Sequence, residues 1–129
     1  MKTITFIVFT SLLAGIGHLS IAQELDGYKE HQKLWVKDGW VTLYYKAETY
    51  GINFKVKNET SKYVHAKVYN VSAYWSDGKK RKSDVKITYV PPGKIGKGRY
   101  DHYDNYSKLK KSGWTFERWK ADHDNSNLE

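Results

Sequence analysis

Aromatic side chains are the residues of this chain best suited to binding a ligand. The sequence contains 5 tryptophans and 11 tyrosines, and both residue types combine a large apolar ring with a polar group. So many tryptophans exceed the needs of one small core, and we predict that some rings are exposed to stack on sugars or dock a protein. The competing interpretation is that large rings fill the core and its rim because cysteine is absent. The candidate ligand-binding residues are Trp35, Trp40, Trp75, Tyr100, Tyr103, Tyr106, Trp114 and Trp119.

Positive charge is concentrated in clusters that follow predicted turns. The chain has a formal net charge of +8, which favours anionic partners such as acidic polysaccharide, lipid headgroups or an acidic protein. If two of the clusters meet at one end of the fold, they form an anion-binding rim. The competing interpretation is that these lysines only solvate turns or protect an edge strand from pairing. The candidate anion-binding residues are Lys79, Lys80, Arg81, Lys82, Lys94, Lys97 and Arg99.

Histidine and carboxylate side chains are present without the spacing of a known catalytic or metal site. His102 and His123 both lie among aspartates, but neither a His-x-x-x-His pair nor a calcium-loop pattern occurs. There is no Gly-x-Ser-x-Gly elbow for a serine nucleophile, and the glycines of residues 93–98 precede no helix pattern that would form a phosphate loop. We therefore predict a protein that is not an enzyme, with no catalytic residues, no metal and no cofactor.

The N-terminus has the layout of a cleavable secretory signal. A basic start at Lys2 is followed by an apolar run over residues 4–14 and by small residues at Ser20 and Ala22. The run is short for a membrane span, so we place the cleavage after Ala22; an uncleaved membrane anchor is the alternative. This predicts a bacterial protein that is periplasmic or secreted, with no lipid anchor and no transmembrane span after cleavage. Export also argues against a nucleic-acid partner.

The centre of the chain, residues 51–98, has the most regular strand pattern. Apolar residues alternate with polar ones over residues 52–56 and again at Val85, Ile87 and Tyr89, which we predict to face the core. Between these segments the apolar register changes phase after Val68. A phase change of one residue predicts a β-bulge near Tyr69-Asn70, with a strand buried on both faces as the alternative.

Turn signals on either side of this centre complete a fold prediction. Asp38-Gly39 between two aromatic runs predicts a β-hairpin, residues 98–111 predict a tyrosine-rich loop, and residues 114–120 predict a last strand. About seven short strands favour an all-β protein with a single antiparallel β-sandwich preceded by the aromatic hairpin; a small β-barrel is the alternative. The predicted divisions are a signal peptide (1–22), a polar lead-in (23–32), the β-sandwich domain (33–120) and a flexible tail (121–129).

The central stretch also resembles a known type of domain. A strand ending in Asn58-Glu59-Thr60 is followed by alternating valines, by Trp75-Ser76-Asp77-Gly78 and by Val90-Pro91-Pro92-Gly93-Lys94. This pattern is similar to that of immunoglobulin-like β-sandwich domains in bacterial exported proteins, such as the FxLYD type, over Gly51–Arg99. The resemblance implies an immunoglobulin-like sandwich that serves as a binding or spacing module, and it implies no functional residue.

Together these observations predict an exported, non-catalytic β-sandwich that binds a glycan or an anionic component of the envelope. One alternative is a structural or inhibitory module that contacts another envelope protein through a sheet edge or the tyrosine-rich loop. A second alternative is a small hydrolase or a metal-dependent enzyme.

Overall fold

The computed structural model describes residues 20–104 and 107–129. Its elements are α1 (Ile21–Glu24), β1 (Lys29–Val36), β2 (Gly39–Glu48), β3 (Gly51–Glu59), β4 (Val64–Trp75), β5 (Lys80–Val90), β6 (Ile95–Tyr100), β7 (Tyr103–Asp104), β8 (Ser107–Lys108), β9 (Lys111–Thr115), β10 (Arg118–Asp122) and a terminal 3₁₀ helix (Asn125–Leu128). The first sheet has the order β1-β2-β3-β6, and the second has the order β10-β4-β5 with β9 also paired to β4. The predicted all-β antiparallel sandwich is confirmed, and its two main sheets are accompanied by a separate two-stranded pair of β7 and β8.

The predicted aromatic hairpin is built into the first sheet. β1 and β2 pair antiparallel from Lys29 opposite Tyr45 to Val36 opposite Gly39, and β2 pairs in turn with β3. At the hairpin turn Lys37 has φ 57, in the left-handed region that tight hairpin turns use. The hairpin therefore supplies half of the first sheet, and strand structure begins at Lys29 rather than at residue 33.

The core lies between the inner faces of the two sheets. Ile52, Phe54 and Val56 on β3 are fully buried, as their alternation with polar residues predicts. They belong to one buried cluster with the apolar residues of β4 and β5, and this cluster extends to Trp119 on β10. Because the chain has no disulfide, this apolar cluster and the strand ladders hold the fold.

β6 approaches β5 closely because two of its inward-facing residues, Gly96 and Gly98, are glycines. A Cβ atom added at Gly96 would lie 2.5 Å from Val90 Cγ2, and one added at Gly98 would lie 2.8 Å from Val85 Cγ1. Carbon atoms in favourable contact are about 3.5–4.0 Å apart, so a side chain at either glycine would push the two sheets apart.

β4 carries the β-bulge that the change of apolar phase predicts. Its pairing with β5 shifts register between Val68 and Val71, and Asn70 has φ 53, a conformation that asparagine tolerates better than most residues. After the bulge Val71 and Ala73 take the inner register and are buried. The bulge prediction is therefore confirmed.

β5 carries a second bulge, and here the sequence prediction is wrong for one residue. The register of β5 against β4 shifts close to Val64, and Tyr89 has φ 55. Tyr89 is 68% exposed, while Val90 takes the buried position. The backbone N–H of Tyr89 donates to Nδ1 of His65 (3.1 Å), and the two rings pack edge to face with centroids 4.6 Å apart. A side-chain acceptor thus stabilises the irregular backbone.

The turn after β3 is organised around a buried asparagine. Asn58 is fully buried, and its Nδ2 donates to the carbonyls of Lys62 (2.8 Å) and Val90 (2.9 Å). Its Oδ1 accepts from the backbone N–H (2.9 Å) and the hydroxyl (2.7 Å) of Thr60. Every hydrogen-bonding position of the amide is used, which is what a buried amide requires. The Asn-x-Thr pattern in this chain is therefore a structural lock, meaning that its hydrogen bonds join the turn after β3 to the end of β5.

The two ends are more ordered in the fold than predicted. α1 extends across the predicted boundary between signal peptide and polar lead-in at residue 22, and it is capped by the side chain of Ser20, which accepts from the N–H of Gln23 (3.2 Å). At the other end β10 continues to Asp122, and Leu128 in the 3₁₀ helix is only 3% exposed. The prediction of a flexible tail from residue 121 is corrected, since this segment packs against β4 and β10.

The predicted signal peptide lies mostly outside the described residues, which begin at residue 20. Within the part that the structure describes, no helix has the length and apolarity needed to cross a membrane.

Candidate functional site

The predicted aromatic residues that the structure describes fall into separate environments. Trp114 and Trp119 line one cleft, Trp35 and Trp40 form an exposed pair, and Trp75 and Tyr100 are buried. Tyr103 is exposed on β7, and Tyr106 lies outside the described residues. The predicted set is therefore not one binding surface. Among its members in residues 20–104 and 107–129, Trp114 and Trp119 line a concave cleft of the shape that small ligands prefer.

Trp75 and Tyr100 pack in the core rather than on a binding face. Both are 3% exposed, and their ring centroids lie 5.5 Å apart. The hydroxyl of Tyr100 donates to the carbonyl of Arg81 (2.6 Å), and His102 packs edge to face against Trp75 at 5.0 Å. Their prediction as ligand-binding residues is corrected, because neither ring is accessible.

Trp35 and Trp40 form a cross-strand pair on the outer face of the first sheet. They are 58% and 44% exposed, and their rings meet edge to face with centroids 5.1 Å apart. The indole N–H of Trp35 donates to the carbonyl of Lys37 (3.0 Å). This geometry stabilises the hairpin and leaves both rings exposed.

The aromatic cleft opens where the edge strand β1 of the first sheet faces the junction of β9 and β10 in the second. Its volume is about 450 Å³, within the range of small-molecule sites. Aromatic rings form much of its wall, and polar side chains lie among them. The cleft is lined by His31, Gln32, Tyr45, Trp114, Thr115, Phe116, Glu117, Arg118 and Trp119.

The aromatic wall is held by the core beneath it. Trp114 and Phe116 lie nearly parallel, at 24° with centroids 6.2 Å apart, and Tyr45 packs against Trp114 at 5.2 Å. The fully buried Phe54 contacts both, with centroid distances of 6.2 Å to Trp114 and 6.1 Å to Phe116. Because these rings are only partly buried, they offer apolar faces in an orientation that the core has already set.

A bulge in β1 turns a histidine toward this wall. The pairing of β1 with β2 shifts register between Glu30 and Gln32, which makes His31 the extra residue, and bulges commonly redirect a side chain. The imidazole of His31 meets Phe116 edge to face at 4.8 Å. Burial lowers the pKa of His31 below its usual value, which favours the neutral imidazole.

The junction between β9 and β10 is anchored by the bulge in β4. The predicted single strand over residues 114–120 is interrupted at Phe116 and Glu117. The backbone N–H of Glu117 donates to the carbonyl of Tyr69 (3.0 Å), and the side-chain amide of Asn70 donates to the Glu117 carboxylate. The phase change in β4 therefore positions one rim of the cleft.

Polar groups around the cleft are held by their own contacts. The indole N–H of Trp119 donates to Oε1 of Gln32 (3.0 Å), which joins β10 to β1. The guanidinium of Arg118 lies 3.9 Å from the ring centroid of Tyr69, and its Nε is 3.6 Å from the Glu117 carboxylate. The charges of Glu117 and Arg118 offset each other, so the cleft carries little net charge.

Sequence reasoning found two residues of this cleft and missed the rest. The two tryptophans lie in the segment 114–120, where aromatic and polar residues alternate from Trp114 to Glu117, and this pattern predicts a strand. His31, Gln32 and Tyr45 have no such signal, since they reach the cleft only through the pairing of distant strands.

The two predicted basic clusters point away from each other. Lys80 and Lys82 project from the outer face of the second sheet, whereas Lys97 and Arg99 project from the outer face of the first. Lys79 and Lys94 are exposed beside these strands. The predicted common anion-binding rim is corrected, because the sandwich separates its two halves.

The two arginines of these clusters are paired with carboxylates. Arg81 forms two hydrogen bonds with Asp77 (2.5 and 3.0 Å), and these bonds lower the pKa of Asp77 to about 2. Arg99 contacts Glu48 (2.8 Å) and Asp101 (2.9 Å). Their positive charge is therefore largely compensated within the protein.

In residues 20–104 and 107–129, no group of three or more histidine and carboxylate side chains is arranged to hold a metal ion. No protein-family model matches the chain, and comparisons with characterised proteins and with solved structures return no significant match. The resemblance to immunoglobulin-like exported domains thus stays a prediction, and function is inferred from the geometry of the cleft.

Proposed function

We propose that this protein is an exported, non-catalytic binding module that holds a neutral glycan in the aromatic cleft. The observation that carries the proposal is the wall of Tyr45, Trp114 and Phe116, which stands beside polar groups in a cleft of about 450 Å³. Sugar rings have apolar faces and polar edges. A sugar is therefore complementary to a site that offers both aromatic rings and polar side chains.

The arrangement of the wall supports stacking. The nearly parallel rings of Trp114 and Phe116 have centroids 6.2 Å apart. The two rings together cover more of the cleft wall than one ring would, which suits a ligand of more than one sugar unit. Their contact with Phe54 fixes them before a ligand arrives, which lowers the entropic cost of binding. The amide of Gln32 and the carboxylate of Glu117 are hydrogen-bonding groups suited to sugar hydroxyls.

The charge of the cleft favours a neutral sugar over an acidic one. Glu117 and Arg118 offset each other, and the lowered pKa of His31 favours the neutral form of that ring. A site without net charge gains little from an anionic ligand, and its binding is little affected by salt.

Affinity electrophoresis against neutral and acidic polysaccharides tests this proposal. We expect retardation in at least one neutral polysaccharide, and at least about tenfold weaker binding by Trp114→Ala, equivalent to about 1.4 kcal/mol. Trp35→Ala is the matched control, because it removes an exposed tryptophan outside the cleft. Circular dichroism establishes that each variant is folded, and Glu117→Ala provides a second test at an exposed position.

Unchanged mobility of the wild-type protein in every polysaccharide would remove the proposal. Equal losses in Trp114→Ala and Trp35→Ala would also count against the cleft. Binding that weakens steeply between about 0.05 and 0.5 M salt would indicate an electrostatic mechanism in place of stacking.

A second candidate function is docking of another envelope protein on the exposed Trp35–Trp40 pair. It is supported by the exposure of both rings on an edge hairpin, since aromatic residues are enriched in protein interfaces. Trp35→Ala tests it by pull-down from the native envelope. A specific partner that the variant no longer recovers would support docking, and recovery of the same proteins by both would refute it.

A further inference from the structure

We infer that the outer face of the first sheet carries a separate binding site for a compact oxyanion, formed around Lys55 and Lys97. The site is independent of the aromatic cleft. Side chains alternate between the two faces of a strand, so these lysines point away from the core, while Tyr45 and the rest of the cleft wall lie toward it.

The two lysines are direct neighbours across the sheet. Lys55 on β3 is paired with Lys97 on β6, and like charges directly opposite each other destabilise a sheet. Within residues 20–104 and 107–129, no carboxylate lies within 4.0 Å of either ammonium group. The neighbouring Lys57, in contrast, is 3.6 Å from Glu59. The pair is therefore an uncompensated positive charge that an anion would neutralise.

The segment before β1 makes a concave site of this face. The ammonium of Lys55 lies 4.5 Å from the ring centroid of Tyr28 and donates to the carbonyl of Glu24. A cleft of about 450 Å³ results between Tyr28 and β6, with Asn53, Gly98 and Arg99 completing its lining. One ammonium is thus held in place by the folded N-terminal segment, and the other faces the same space.

Arg99 contributes a fixed wall rather than a free charge. Its guanidinium donates to Glu48 (2.8 Å), Asn53 (2.7 Å) and Asp101 (2.9 Å). These contacts hold the side chain against the sheet and offset its charge, so that the net attraction comes from the two lysines.

The chemistry of the site matches a phosphate, sulfate or carboxylate group. Lysine ammonium groups bind such oxyanions as point charges and donate up to three hydrogen bonds. Gly98 and the Tyr28 ring also line this cleft, which has room for the group that carries the oxyanion. The source is either a soluble oxyanion, free or on a sugar, or the headgroup of an anionic lipid.

Titration of the isotope-labelled full chain with inorganic phosphate, followed by NMR, tests the inference. We expect saturable shifts centred on the amides of Lys55 and Lys97, and at least about tenfold weaker binding in Lys97→Gln. Lys97 is the primary variant because its side chain is exposed. Lys33→Gln is the matched control, since Lys33 projects from the same face opposite Thr42.

A second arm separates the sources of the oxyanion. Co-sedimentation with vesicles of phosphatidylglycerol that Lys97→Gln abolishes assigns a lipid headgroup, and phosphate binding without vesicle binding assigns a soluble oxyanion. Shifts that do not saturate, or that Lys33→Gln reduces as much as Lys97→Gln, would overturn the inference. Trp114→Ala should bind phosphate normally, so failure here is distinguishable from failure of the glycan proposal.

Discussion

The side-chain amide of Asn70 in the β4 bulge donates a hydrogen bond to the carboxylate of Glu117 at the junction of β9 and β10. The same bulge accepts the backbone N–H of Glu117 at the carbonyl of Tyr69 (3.0 Å). An irregularity inside the second sheet thus determines where one rim of the aromatic cleft lies. Because Asn70 has a positive φ of 53, its role can be divided into a backbone part and a side-chain part.

The backbone part predicts that the usual order of stability of alanine and glycine variants is inverted at Asn70. At Asn70, we expect Asn70→Ala to be less stable than Asn70→Gly by about 1 kcal/mol, because a Cβ atom is costly in the left-handed region. At Asn53, which is not in that region, Asn53→Ala should instead be the more stable member of the pair, by about 0.5–1 kcal/mol. Urea denaturation of the four variants measures both differences, and the same order at the two positions would contradict the bulge.

The buried amide of Asn58 predicts a large loss of stability on truncation. Asn58→Ala leaves the carbonyls of Lys62 and Val90 and the donors of Thr60 without their partners, and each buried unsatisfied group costs about 1–3 kcal/mol. We expect a decrease of at least about 2 kcal/mol in the free energy of unfolding. Asn53→Ala, at a partly exposed site, serves as the control, and a loss no greater than in that control would disprove the role of Asn58 as a structural lock.

Burial of His102 predicts a stability that falls in mildly acidic solution. Burial lowers the pKa of His102 below its ordinary value of 6.5, and the nearby Arg81 lowers it further. The neutral form is therefore favoured in the folded state. The stability that the neutral imidazole contributes is complete above pH 6.5. It is lost as the pH falls from 6.5 toward the lower pKa that His102 has in the folded protein.

His102→Phe tests this dependence, since phenylalanine retains an aromatic ring against Trp75 and Tyr100 and does not titrate. We expect the variant to lose less stability than the wild type between pH 7.5 and pH 5 in urea denaturation. The hydrogen bonds from Arg81 to Asp77 act in another window, because stability from a carboxyl with a pKa of about 2 is lost only below pH 3.8. Identical pH profiles of variant and wild type above pH 5 would refute the role of His102.

Local alternation was enough to predict the strands that form the core. Ile52, Phe54 and Val56 are buried, and the change of phase after Val68 coincides with the observed bulge. Both predictions depend only on which side of a strand each residue faces, and this property is periodic along the chain. The bulge in β5 escaped prediction, because Tyr89 is apolar enough to fit the pattern while its backbone depends on His65 from another strand.

The aromatic content and the positive charge of this protein follow from its sequence alone, and so does its division into short strands. Which rings become accessible is decided by tertiary structure. The cleft joins His31 and Tyr45 to Trp114 and Phe116, residues far apart along the chain that meet only where the edge of one sheet faces the other. The basic clusters were separated for the same reason, since a residue's place in a strand pair decides which outer face it occupies. Pairing between distant strands is a property of the whole packed sandwich, and short-range patterns of residue type do not encode it.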